Sequence, residues 1–337
     1  VLIDKYLEGR EVEVDAVCDG DVVLIPGIME HIERAGVHSG DSIAVYPAQR
    51  LSPEEEAAIV DYTISIGRGL GVKGLMNIQF VVMPPAADSP RVYVLEVNPR
   101  ASRTVPFISK VTGLPLVRLA VEVMLDRSLS GLGYRSGLWP AQDLVAVKAP
   151  VFSMSKLIGV DSFLGPEMKS TGEVMGVDRT LSAALTKALL AAGLSLPSQG
   201  AVLVSLADRD KEESRPIIDQ LAVLGYKLFA TEGTAAMIEG AGLEVTMISK
   251  KLSQGYPNVV DIIREGRVNG VINTLTHGQV PLQDGFQIRR AATERRIPCF
   301  TSLDTARATV AALANSSFPY SVLPLREYLG TGVQEKA

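Results

Sequence analysis

A chain of 337 residues has room for about two domains, and 47% hydrophobic with 21% charged residues is the balance of a globular protein with a substantial core. The net charge of −5 leaves no basic footprint for nucleic acid, no apolar run is long enough to span a membrane, and no charged-then-apolar leader opens the sequence. Cys18 and Cys299 lie too far apart to suggest a disulfide framework, and read as buried structural thiols in a reducing, cytoplasmic setting.

In chain order, VLIDKYL opens as an apolar strand, and EVEVDAVCDGDVVLIPG alternates acidic and apolar residues, turns at CDGD and resumes as a strand. Glu11, Glu13 and Asp15 share one face of it, and the last two are expected on the solvated side of an antiparallel sheet. EHIERAGVHSGDS reads as a polar loop with a solvated His31, and Gly36, Val37, His38 and Ser39 lead into a nest-like turn whose donors suit an anion. SPEEEAAIVDYTISIGRGLG has a capping-box start at Ser52 and Glu55, helical apolar spacing and a glycine stop.

Two strand-like runs follow, LMNIQFVVM and VYVLEVN, joined by the turn-forming PPAADSP, which together predict an antiparallel hairpin. Symmetric pairing about that turn sets Gln79 across from Glu96, with Asn98 on the same face because side chains at i and i+2 share a side. Three hard oxygen ligands at a strand end suit Mg²⁺ on polyphosphate, and Arg100 and Arg103 just beyond offer planar phosphate donors. Together they point to phosphoryl transfer, in which catalysis is positioning and charge neutralisation.

A helix is expected from about Pro115, then a strand in DLVAVKAPVF and a further helix after LGPEMKSTGEVMG. From Gly200 the pattern changes. AVLVSLA, YKLFA, LEVTMIS, VNGVINTL and PCFTSL alternate with helical stretches, as in a small doubly wound parallel sheet. Ligands of such sheets bind at the carboxyl ends of strands, where this chain places Ser205, the ATEGT turn with Thr231, Gly233 and Thr234, the Lys250–Lys251 pair, Asn273, Thr274 and Thr276. Hydroxyls, lysines and a glycine turn suggest a phosphate pocket. Singly, each threonine reads as a helix cap.

MNIQF followed by EVNPRASRTVPFISKVTGLPL resembles the C-terminal part of an ATP-grasp domain, specifically that of the carbamoyl-phosphate synthase large chains. GIMEHIERAGVHSGDS and LGPEMKSTGEVMG fit the same family, so the resemblance covers nearly the whole chain. Biotin carboxylases share the looser Glu-x-Asn-x-Arg pattern but not the appended βαβ domain. The implied fold is α/β: the C-terminal part of an ATP-grasp domain over 1–128, a connecting region completing it over 129–197, and a doubly wound methylglyoxal-synthase-like allosteric domain over 198–337.

The resemblance further implies ATP with Mg²⁺ or Mn²⁺, and phosphorylation of carbamate made from bicarbonate and ammonia. It assigns the nucleotide to Leu7, Glu11, Gly36, Val37, His38, Ser39, Gln79 and Glu96, with Asp4 to Leu7 lining adenine and Glu11 on the ribose. Metal falls to Gln79, Glu96 and Asn98, and placement of phosphates or carbamate to Arg100 and Arg103. An effector such as a nucleotide monophosphate falls to Ser205, Lys211, Thr231, Gly233, Thr234, Lys250, Lys251, Asn273, Thr274, Thr276 and Thr301. No aspartate is expected beyond these strand ends for methylglyoxal-synthase chemistry, so binding is the preferred role. Glu33 and Asp41 match a region used for an amine effector, but Ala146 stands where responsive members carry a glutamate. The implied partners are a glutaminase, separate or fused, the remainder of the large chain and an oligomer. Because the phosphate-covering half of the ATP-grasp domain would precede Val1, the chain is expected not to turn over alone, and the alternative reading is an effector-binding or assembly module without activity of its own. Both pyrimidine and arginine pathways stay open.

Overall fold

The computed structural model describes residues 5–86, 89–153, 160–250, 256–275, 283–315 and 320–329. Asp4, Lys251 and Thr276 lie outside them. The chain divides into two compact units, one formed by residues up to 148 with 177–184 and the segment from 321, the other by 149–176 and 185–320.

The acidic–apolar alternation makes β1 (Arg10–Asp19), which turns at Asp19, where the carboxylate accepts from the Asp21 and Val22 amides, into β2 (Val23–Ile25). The segment expected to be a polar loop is instead β3 (Ile28–Arg34), followed by β4 (Ala44–Tyr46). Its charges are compatible with a strand because they find partners in the segments flanking β4. Glu30 accepts from the Arg50 guanidinium at 2.8 Å, and Glu33 accepts from the Ile43 amide at 2.7 Å.

The helix α1 (Pro53–Gly69) starts on the expected capping box, with Ser52 and Glu55 satisfying each other's backbone N–H. The hairpin forms from β5 (Lys73–Ala86) and β6 (Ser89–Asn98). Two helices follow, α2 (Val105–Thr112), which the sequence reading did not separate, and α3 (Leu116–Met124), then β7 (Gly137–Leu138), β8 (Val145–Val151) and β9 (Gly172–Asp178). The main path of the nine-stranded sheet is β6-β5-β1-β3-β4-β8-β9. One face of β1 and β5 carries the core, with Val12, Val14, Ala16, Ile78 and Phe80 packed against Ile59 of α1. The opposite face is polar.

After α4 (Leu181–Ala192) comes the parallel sheet: β10 (Ala201–Ser205), α5 (Lys211–Val223), β11 (Lys227–Ala230), α6 (Glu232–Gly240), β12 (Thr246–Met247), α7 (Val259–Arg264), β13 (Gly270–Asn273), α8 (Gln283–Glu294), β14 (Cys299–Phe300) and α9 (Leu303–Ala314). Its strand order is β12-β11-β10-β13-β14, all pairs parallel. Period-two alternation divides the side chains between two cores. Val202, Val204, Leu228 and Ile272 pack with α5, α6 and α9, while Leu203, Phe229 and Val271 pack with α7 and α8. This is the doubly wound α/β arrangement the spacing predicted. The short α10 (Leu325–Leu329) belongs to the first unit, where buried Tyr328 and Asp178 both bond Ser321.

Candidate functional site

The polar sheet face is built by register. Gln79 lies opposite Glu96 and Asn77 opposite Asn98, while on the other side of β5 Glu13 faces Gln79 and Asp15 faces Asn77. One extra residue on β6, between the Phe80–Val94 and Gln79–Glu96 pairs, forms a bulge that puts Glu96 rather than Leu95 on this face. Asn98 donates to Glu96 Oε1 at 2.9 Å, and Gln79 donates to Ser39 Oγ at 2.9 Å. Both amides thus direct their nitrogens at the protein and leave oxygens as the remaining ligand atoms. Gln79 is nearly buried while Glu96 is exposed.

Glu13 and Asp15, expected to be solvated, are instead 2% and 0% exposed, and His31, expected in a loop, is 1% exposed on β3. The physical reason is a lid of hydroxyls from the segment just past Arg100. Ser102 donates to Asp15 Oδ1 at 2.6 Å, and Thr104 donates to Asp15 Oδ2 at 2.6 Å with its Oγ1 also 3.1 Å from Glu13 Oε1. Asn77 donates to both carboxylates. The β1–β3 ladder shifts between Val12–Glu30 and Arg10–Arg34, which leaves two extra residues on β3 and sets His31 between Glu11 and Glu13. Its Nε2 is 3.2 Å from Glu13; its Nδ1 is 3.4 Å from Glu11 but makes no hydrogen bond.

Burial alone would raise Glu13, but the His31 hydrogen bond, the charges of His31 and Lys148 and the Asn77 bond outweigh it and bring the carboxyl down to about 2. Asp15 goes the other way, to about 7, through burial and the Glu13 charge. Burial lifts Glu11 as well, against the pull of His31, and Glu96 is among the charges that add to the rise. His31 is raised, because its glutamates outweigh the burial that would lower it.

At the open side of this face, Tyr6 donates to the Ala35 carbonyl at 2.7 Å and the Ala35 amide donates to Gly9, so the strand entry near half-buried Leu7 is tied to the turn of Gly36, Val37, His38 and Ser39. Gly36 has φ +111°, which suits only glycine, and an added Cβ would lie 3.3 Å from the Tyr6 hydroxyl. His38 Nδ1 accepts from the Gly40 amide, and buried Lys148 of β8 donates to the Ser39 carbonyl at 3.0 Å. Arg100 is exposed and donates to the Ala101 carbonyl; Arg103 is half-buried. No group of three His, Cys, Asp or Glu among the described residues could hold a metal by itself. The oxygen set of Gln79, Glu96 and Asn98 fits a hard cation that takes its other ligands from phosphate and water. Ala146 is fully buried.

In the second unit, the strand ends bring together Ser205, Thr231, Thr234, Asn273, Thr274 and Thr301, each less than a tenth exposed. All of these side-chain oxygens except that of Thr231 already accept from within. Thr234 accepts from the Leu206 amide, Thr274 from Ala207, Thr301 from Leu164, and Asn273 from the Arg289 guanidinium. An oxygen that accepts internally leaves its own hydrogen to donate, so Thr234, Thr274, Thr301 and Asn273 keep donors, whereas Thr231 donates internally towards Ser205 and Thr234. Lys211 Nζ lies 3.1 Å from where a Cβ on Gly233 would sit, and the Lys250 amide donates to Glu232. An aspartate, Asp208, follows β10. Asp208 pairs with Lys211 at 2.7 Å, and the hydrogen bond and charge of that lysine, with a smaller pull from Lys250, keep its carboxyl low. Arg289 and Asp161 form part of this assembly and carry no motif in sequence.

Comparisons with known proteins find two family models along the chain. Residues 1–132 match the family model "Carbamoyl-phosphate synthase L chain, ATP binding domain", and residues 214–301 match "MGS-like domain". The carbamoyl phosphate synthase large chain of Thermomicrobium roseum is 58% identical over 328 residues, 97% of this chain; the chain spans 30% of that relative's length. Among solved structures, the biotin carboxylase domain of a single-chain bacterial carboxylase is similar at TM-score 0.44 and 18% identity, over 56% of this chain and 48% of that one. The biotin carboxylase subunit of pyruvate carboxylase gives 0.41 and 13%, over 56% and 46%.

Proposed function

We propose that this chain, which belongs with the carbamoyl-phosphate synthase large chains, supplies the nucleotide-holding sheet face for phosphorylation of carbamate by ATP and, separately, a strand-end site for an anionic effector. ATP binding and use of a divalent cation follow from the family; Mg²⁺, or Mn²⁺ in its place, is the reading the all-oxygen donor set favours. The observation that carries the proposal is the face on which Gln79 and Asn98 turn their nitrogens inward beside Glu96.

On this reading Gln79, Glu96 and Asn98 would hold the cation, whose chemistry is to neutralise phosphate charge during transfer. Glu11, set against His31, accepts from ribose hydroxyls. The turn from Gly36 to Ser39 closes on the nucleotide, with Leu7 against the base. Arg100 and Arg103 hold phosphate or carbamate oxygens and orient the acceptor for in-line attack. The remainder of the large chain, a glutaminase supplying ammonia, and bicarbonate belong to the same proposal, as do domain bounds at 128 and 197. The phosphate-covering half of the site would come from that remainder. At the second site Ser205, Lys211, Thr231, Gly233, Thr234, Lys250, Asn273, Thr274 and Thr301 receive a nucleotide monophosphate.

The test is Glu96→Ala in the complete enzyme. Carbamate-dependent ATP turnover should drop by roughly a thousandfold, the scale expected when stabilisation of transferring charge is removed. A rate within about twofold of the parent would remove the role given to Glu96.

A further inference from the structure

The helix α8 carries two consecutive arginines with opposite fates. Arg290 lies on the surface, paired with Glu294 one turn on. Arg289 is 1% exposed. Its guanidinium forks onto Asp161, Nε to Oδ1 and Nη2 to Oδ2, both at 2.5 Å, and sends Nη1 to Asn273 Oδ1 at 2.6 Å. Gly285, one turn earlier, leaves the space: a Cβ there would sit 3.2 Å from Nη1.

Asn273 closes β13 among the effector candidates. With its oxygen held by Arg289, its Nδ2 donates to the Ser205 carbonyl at 3.2 Å and keeps one hydrogen in reserve. A flipped amide would set oxygen against the Ser205 carbonyl and NH₂ against a guanidinium, two repulsive contacts in a buried place. The segment that supplies Asp161 makes a second contribution, because the Leu164 amide occupies Thr301 Oγ1 and leaves that hydroxyl to donate.

We infer that Arg289, clamped by Asp161, is a positioning residue for the strand-end site, holding the Asn273 amide as a donor and so committing the site to ligands that only accept, such as phosphomonoesters. The inference rests on the effector reading above, and its test has an arm that needs no ligand. Bidentate pairing fixes the guanidinium plane, which lysine cannot reproduce. Asp161 is therefore part of the device.

In the full chain, with ¹⁵N-labelled side-chain amides, Arg289→Lys and Arg289→Met should each shift the Asn273 NH₂ resonances and speed their exchange with water. Signals that stay where they are in both variants overturn the inference whatever binds. Calorimetry with uridine monophosphate and with inorganic phosphate supplies the second arm. Arg289→Met should weaken binding about ten- to a hundredfold, the range for losing a charge-assisted bond. The same change in an Asn273→Ala background should cost less than about threefold more. Full additivity would mean that Arg289 acts through general stability and would sink the positioning role. If the parent binds neither probe while the resonances move as expected, the effector reading fails and the amide clamp stands.

Discussion

The two polar sites solve opposite problems with the same side-chain types. On the antiparallel sheet, Gln79 and Asn98 spend their nitrogens on Ser39 and Glu96 and leave oxygens beside a carboxylate. At the ends of the parallel sheet, Asn273 and three threonines spend their oxygens on internal donors and leave hydrogens. On the proposed reading the first surface takes a cation between itself and phosphate, and the second takes an anion directly. An amide or hydroxyl has no fixed role of its own, and the partner behind it decides which end the ligand meets.

Chelation should separate the two most sharply. Removing divalent cations from the complete enzyme should abolish carbamate-dependent turnover while leaving calorimetric binding of uridine monophosphate within about twofold; loss of both would erase the distinction. Next in size is Asn273→Asp, which exchanges a donor for a carboxylate facing an anion. Effector affinity should drop by about a hundredfold while turnover without effector is kept, as titration of activity against effector would reveal.

The buried acids give a smaller effect with a defined sign. The folded Asp15 carboxyl titrates at about 7, above its ordinary 3.8, so its contribution is fully present below that ordinary value and is lost as pH rises through 7. Asp15→Asn should therefore gain on the parent in denaturant titrations between pH 4 and 8, by on the order of a few kcal/mol. Glu13, lowered to about 2, works in the reverse direction and loses its contribution only as pH falls below 4.5. A gap that shrinks with rising pH would contradict the burial account. Smallest, and outside both sites, Ser52→Ala should cost about 1 kcal/mol in thermal or denaturant unfolding by removing one half of the capping box.

Much of this was legible in the sequence where the cause is local. The turn-forming PPAADSP and the alternation of Asn77 with Gln79 sufficed to pair Gln79 with Glu96, and regular spacing of short apolar runs sufficed for the parallel sheet. What stayed hidden depends on distant partners. Alternation in EVEVD is the same whether its polar face meets water or a lid, and the lid is Ser102 and Thr104, nearly ninety residues away. EHIER reads as a loop because strands seldom bury so much charge, and it takes partners such as Arg50 for Glu30, and the bulge that lodges His31 between two glutamates, to make it permissible. Arg289 falls on the inward side of α8, beside Ile288 and Ala292, yet nothing nearby in sequence announces Asp161 or Asn273.

The spare residue on β6 also decides which side chain the polar face carries. Outward of it the ladder pairs Val81 with Tyr93 and Val82 with Val92; inward it pairs Gln79 with Glu96 and Asn77 with Asn98. A regular continuation of the outer rungs would bring Leu95 opposite Gln79, so a slip of one residue across this point would exchange the carboxylate on the polar face for an apolar side chain.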